Sequence, residues 1–131
     1  MKRIVICGSM SAISKMKDVA KQLEIMDYTP ILPDEGDIPE GKFNEYKKDV
    51  SMKHFNAISH ESTYAVLIVN EAKRGIDNYI GANSFAEIAL AFYFGKKIFL
   101  LNDIYTPYAD ELAAWGAVTL NNDLQRLPCL T

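Results

Sequence analysis

The segment Tyr64-Ala65-Val66-Leu67-Ile68-Val69-Asn70 constrains this chain more than any other. It carries no charge, and its two alternating faces are both apolar. A strand of that kind fits the middle of a parallel sheet, where helices cover both sides.

The flanking pattern agrees. Residues 3–7 form a short β-branched run that ends in Gly8-Ser9, and Met16, Val19, Ala20, Leu23 and Met26 then recur at helical spacing. Residues 29–33 read as a short strand closed by a proline, and residues 34–41 as an acidic surface loop containing Gly36, Pro39 and Gly41. A second helix is predicted over residues 46–58, with Val50, Phe55 and Ile58 buried. After the central strand come a polar loop over 71–81 and an apolar helix over 84–94, stopped by Gly95. Residues 97–101 make a fourth strand, 108–115 a short helix and 117–120 a fifth strand, with one helical turn in the tail from Asn121. Strands and helices alternate throughout. The expectation is one α/β domain over residues 1–131. Its fold is a doubly wound, Rossmann- or flavodoxin-like parallel sheet of five strands with helices on both faces. In such sheets ligands bind outside the carboxyl ends of the strands, so the loops after Cys7, Asn70 and Leu101 matter most.

Composition removes several function classes. With 131 residues and 49% hydrophobic content, a core can form without a metal or disulfide staple. A net charge of −3 argues against a nucleic-acid polymer as partner, although backbone N–H groups can still hold the phosphate of a small nucleotide. No apolar stretch approaches the ~20 residues that span a bilayer, and Gly8 breaks the first apolar run too early for a signal peptide, so no membrane partner and a cytoplasmic location are expected. Cys7 and Cys129 belong to no CxxC motif and no Cys/His cluster in sequence, and read as reduced thiols. There is no HExxH and no Ser-His-Asp ordering. Neither a metal nor a cofactor is expected.

Four features could carry chemistry. Gly8-Ser9-Met10 follows the first strand, where a glycine lets backbone approach a ligand and the next helix offers free N–H groups; a plain tight turn with Ser9 or Ser11 as helix cap competes. Glu87 is the sole charged side chain between Asp77 and Lys96, and a carboxylate in so apolar a helix is costly to bury without a purpose. Its competing role is the capping box Ser84-Phe85-Ala86-Glu87. His54 on the second helix could act as a general acid near neutral pH, or be an ordinary packed residue. The loop from Asn70 through Gly75, Asn78, Tyr79 and Gly81 to Asn83 could hydrogen-bond a sugar or stack on a base, or be a surface turn.

These residues also carry a resemblance. Ile4-Val5-Ile6-Cys7-Gly8-Ser9-Met10 resembles the opening of the nucleoside 2-deoxyribosyltransferase-like superfamily. Residues 78–91, Asn-Tyr-Ile-Gly-Ala-Asn-Ser-Phe-Ala-Glu-Ile-Ala-Leu-Ala, look like the segment in which that family's glutamate opens a helix and attacks a sugar. The family includes transferases that move deoxyribose between bases and hydrolases that cut the N-glycosidic bond of nucleoside monophosphates. The resemblance implies Glu87 as nucleophile, His54 as a possible acid, and Gly8, Ser9, Met10, Asn70, Gly75, Tyr79, Gly81 and Asn83 around a small nucleoside or nucleotide. It also implies a homo-oligomer, dimer or tetramer, which the run Phe92-Tyr93-Phe94 would suit. The chain departs from the family where an aspartate is common, with His54 in the second helix and Tyr64 at the start of the central strand, and Asn70 stands where transferases often have an acid. A nucleotide-binding sensor without turnover on the same fold is the alternative.

Overall fold

The computed structural model describes residues 2–128. Cys129 lies outside them. Five strands form one parallel sheet: β1 (Lys2–Cys7), β2 (Tyr28–Ile31), β3 (Thr63–Ile68), β4 (Lys97–Leu100) and β5 (Val118–Thr119), in the spatial order β2-β1-β3-β4-β5. Helices α1 (Ile13–Ile25), α2 (Phe43–Ser59), α3 (Ala82–Tyr93) and α4 (Ala109–Ala114) fall between them. This is the doubly wound flavodoxin-like arrangement that the alternation of patterns predicts.

Strand pleating sorts the core into two layers. On one face Ile4, Ile6, Ala65, Leu67, Phe99 and Leu101 pack under Met16, Val19, Ala20 and Leu23 of α1 and the tail residues Leu120, Leu124 and Leu127. On the other face Val5, Cys7, Val66, Ile68, Ile98 and Leu100 meet Ile58 of α2, Ile88 and Ala91 of α3 and Leu112 of α4. Successive residues of β1 and β3 thus feed opposite layers, which is why neither strand can afford a polar face.

The chain leaves β1 toward β2 on one side and returns to β3 on the other. The loops after β1 and β3 therefore diverge, and a crevice opens at their carboxyl ends. Gly8 suits the close approach there: a Cβ would lie 3.1 Å from the Val69 carbonyl oxygen. Asn70 closes the far side. Its side chain accepts from the Asn102 N–H at 2.9 Å and donates to the Asp103 carbonyl at 2.8 Å, tying the ends of β3 and β4 together.

Several boundaries differ from the sequence reading. Helix α2 begins three residues before Tyr46, and Val50 and Phe55 are half-buried because they wall a cavity rather than the core. The first helix is preceded by a 3-10 turn, Met10–Ala12, and neither Ser9 nor Ser11 caps it. Helix α3 begins two residues before Ser84, with Gly81 at the cap position and no side chain capping it. The capping box is thereby excluded: Ser84 sits inside the first turn, and the Glu87 side chain is free to turn elsewhere. No helix among the described residues is long and apolar enough to cross a membrane.

Candidate functional site

Three elements converge at the crevice. Strand β1 ends in Cys7, α2 lays His54 across that end, and α3, packed beside α2, brings Glu87 to the same point. The His54 and Glu87 side chains are 13% and 10% exposed, and Nδ1 of His54 contacts Oε2 of Glu87. The other ring nitrogen, Nε2, lies 3.2 Å from the Ile6 carbonyl oxygen. A carbonyl can only accept, so Nε2 carries the hydrogen and donates it. In a neutral ring Nδ1 then has only a lone pair, and its contact with a carboxylate oxygen needs a proton or another cation between the two. Burial holds the His54 imidazole below the ordinary histidine value, while the Ile6 hydrogen bond and the charge of Asp34 act in the opposite direction.

Cys7 completes the cluster. Its sulfur, a His54 ring nitrogen and a Glu87 carboxylate oxygen all lie within 4.8 Å of one another. Burial pushes the Cys7 thiol up, so it is an uncharged S–H in the resting protein. The sequence reading left Cys7 outside any Cys/His cluster because the three residues are brought together only by the sheet crossover.

The pair opens on a cavity of about 290 Å³, bounded by Gly8 and Met10 on one side and by Phe43, Tyr46, Val50 and Phe55 of α2 on the other. Its outer wall is the acidic loop, held to α2 by Tyr46, whose hydroxyl donates to the Gly36 carbonyl at 3.0 Å and accepts from the Gly36 N–H at 3.2 Å. Asp34 in that loop reaches the cavity and is paired with Lys53 at 3.1 Å.

A neighbouring cavity of about 370 Å³ shares Gly8, Met10, Lys47 and Asn83 with the first. Its character is cationic. Lys73 donates to the Ser9 hydroxyl at 2.8 Å and stands 5.5 Å from the centre of the Tyr79 ring, while Lys47 approaches from α2. The uncapped first turn of α3 forms the floor, where Ser84 lines the cavity. Positive side chains and the amino end of a helix together favour an anion.

Of the residues singled out in the sequence, Gly8, Ser9, Met10, Tyr79, Gly81 and Asn83 line these cavities along with Glu87 and His54. Two do not. Asn70 is 1% exposed and spends its amide on the β3–β4 strut. Gly75, with φ +76, occupies the exposed tip of a tight hairpin in which Lys73 and Ile76 exchange backbone hydrogen bonds. The left-handed geometry at Arg74 and Gly75 explains that glycine without any ligand. Asp34, Lys47, Lys73, Phe43 and Tyr46 were not foreseen, since only the fold brings them near Glu87; Lys73 alone had a local signal, in the loop already suspected.

Fold and site together define a flavodoxin-like α/β protein with a buried carboxylate–imidazole pair at the strand ends. Solved structures with this fold include a 2-deoxyribosyltransferase from Bacillus psychrosaccharolyticus. That structure aligns with a TM-score of 0.55 at 16% identity, covering 75% of this chain and 70% of the other. Another is the CMP N-glycosidase BcmB of Clostridium botulinum, with a TM-score of 0.57 at 16% identity over 92% and 90% of the two chains. No family model and no curated protein sequence matches the chain.

Proposed function

We propose that this protein is a member of the nucleoside 2-deoxyribosyltransferase-like superfamily that cleaves or transfers the N-glycosidic bond of a nucleoside or nucleoside monophosphate, with Glu87 as nucleophile. One observation carries the reading: the Glu87 carboxylate is backed by a buried imidazole and faces a cavity instead of closing its own helix.

In this mechanism a Glu87 oxygen attacks the anomeric carbon, the C–N bond breaks, and its electron pair leaves with the base. A glycosyl ester on Glu87 then passes the sugar to water or to a second base, and the carboxylate is regenerated. Attack and departure take opposite faces of the sugar. His54 touches the nucleophile and therefore works on the nucleophile's side, orienting the carboxylate. The departing base takes its proton from the opposite side, from solvent or another group there.

The two cavities divide a nucleotide naturally. Phe43, Tyr46 and Phe55 offer flat apolar surface for a base, and Lys47, Lys73 and the α3 amino end offer charge for a 5′-phosphate. A monophosphate is accordingly the preferred substrate in this reading. Release of free base from a panel of nucleosides and their 5′-monophosphates, followed by chromatography, tests it. A second reading, binding without turnover, is favoured by Asp34: it is the other carboxylate at the cavity and is already paired with Lys53. Saturable binding with no product over long incubation would establish that alternative.

We further propose a homo-oligomer built on α3 and α4. Phe92, Tyr93 and Phe94 are 48%, 83% and 47% exposed, and Phe92 stacks on Trp115 of the adjoining segment at 5.2 Å, extending one aromatic surface.

A further inference from the structure

The cluster of Cys7, His54 and Glu87 has donor chemistry that glycosyl transfer does not use. We propose that these three residues form a binding site for a borderline-soft divalent cation, Zn²⁺ being the type, and that an ion there switches off the site described above. The inhibitory consequence rests on Glu87 being the nucleophile; the binding itself does not.

The donor set is the first argument. One thiol, one imidazole and one carboxylate suit zinc, whereas magnesium and calcium take oxygen ligands. The three donors come from β1, α2 and α3, so the fold itself assembles the set. Ligands at tetrahedral zinc stand roughly 3.3–3.8 Å apart, given bond lengths of about 2.0–2.3 Å. The donors here already lie within 4.8 Å of one another, so side-chain rotations of about an ångström that part His54 from Glu87 and draw Cys7 in would set the geometry.

Proton placement is the second argument. Nε2 of His54 donates to the Ile6 carbonyl, the backing that zinc-bound histidines commonly have, and this leaves Nδ1 bare toward Glu87. Two acceptors face each other, and either a proton or a metal ion can sit between them. The Cys7 sulfur approaches the same point from within the sheet, and its weak hydrogen bond to the Val5 carbonyl, at 3.9 Å, holds it little. The fourth position of a tetrahedral ion would open into the cavity that His54 and Glu87 line, where water completes the shell.

The exchange balances without an oxidant or reductant. The incoming ion displaces the thiol proton of Cys7, together with any proton held between His54 and Glu87, so at least one proton leaves for each divalent ion. Binding therefore strengthens as pH rises. Once bound, the ion withdraws charge from the Glu87 carboxylate and fixes its orientation toward the metal, which blocks attack on a sugar. A chelator restores it.

The test uses the full chain, stripped with a chelator and titrated with Co²⁺ as the optical probe. We expect one equivalent to give a near-ultraviolet thiolate-to-cobalt charge-transfer band, displaced by Zn²⁺. Cys7→Ser, checked for folding by circular dichroism, is expected to lose the band and to weaken ion binding by at least about 100-fold. His54→Gln is a second variant expected to weaken it, should Cys7→Ser fail to fold. No band with the wild-type chain, or a band that persists in Cys7→Ser, overturns the site. Base release is then followed with added Zn²⁺, each variant measured against its own metal-free rate. Loss of turnover, reversed by chelator, supports the switch, and unchanged or faster turnover overturns it. A cobalt band in a protein that releases no base under any condition refutes the glycosidic reading while leaving the metal site standing.

Discussion

His54 and Glu87, 33 positions apart in the chain, meet side chain to side chain at the carboxyl end of the sheet. The contact joins two helices that the sequence gives no reason to pair, and it fixes where the carboxylate–imidazole pair lies in the crevice. Four atoms define it: the Ile6 carbonyl oxygen, the two nitrogens of a ring that cannot donate in both directions while neutral, and a carboxylate oxygen.

His54 should therefore govern both activity and acid stability. Because burial lowers its folded value below the ordinary 6.5, the unfolded chain takes up a proton first as pH falls. The part of the stability that depends on His54 staying neutral is complete above 6.5 and declines as pH drops from there toward the folded value. Thermal melts between about pH 7.5 and 5 should show the wild type losing more stability than His54→Gln over that window. The same substitution should slow base release by on the order of 100-fold, mainly in kcat, since it disturbs the nucleophile and not the binding surfaces.

Lys73→Ala and Lys47→Ala should raise KM for a 5′-monophosphate by roughly 10- to 100-fold, the range of one charge-assisted hydrogen bond, and leave the unphosphorylated nucleoside nearly unaffected. Steady-state kinetics on a matched nucleoside and nucleotide pair measure this. Equal effects on both substrates would remove the phosphate from the reading.

Much of the fold was legible because burial is periodic. The seven uncharged residues around Val66 demanded cover on both faces, and the Met16–Leu23 stripe and Gly95 stop located two helices. Glu87 stood out because a charge in an apolar helix needs a reason. What stayed hidden depends on long-range crossing. Cys7 looks like any core residue of β1, and Asp34 and Lys47 look like any surface charge, until the crossover from β2 brings α2 over the end of β1. Asn70 and Gly75 misled for the opposite reason: strand struts and hairpin tips favour the residue types that ligand loops favour.

Asn70→Ala tests that structural assignment. It leaves the Asn102 N–H and the Asp103 carbonyl without their partner and should cost about 1–3 kcal/mol, read from urea or thermal unfolding. Its KM for either substrate should remain close to that of the wild type.

The aromatic surface makes a separate demand. Tyr93→Lys, placed at the most exposed of the three aromatics, should shift the protein from a dimer or tetramer to a monomer in light scattering coupled to size exclusion, without lowering its helix content. A wild type that is already monomeric at micromolar concentration contradicts the proposed assembly.

The most direct test is base release by Glu87→Gln, which keeps the shape and hydrogen-bonding reach of the side chain but removes its nucleophilic oxygen. With nucleoside monophosphate as substrate and circular dichroism confirming the fold, the rate should fall by on the order of 10³-fold or more, and the wild type alone should yield a sugar adduct on the Glu87 peptide by mass spectrometry. Turnover in Glu87→Gln within a few-fold of wild type would contradict the account.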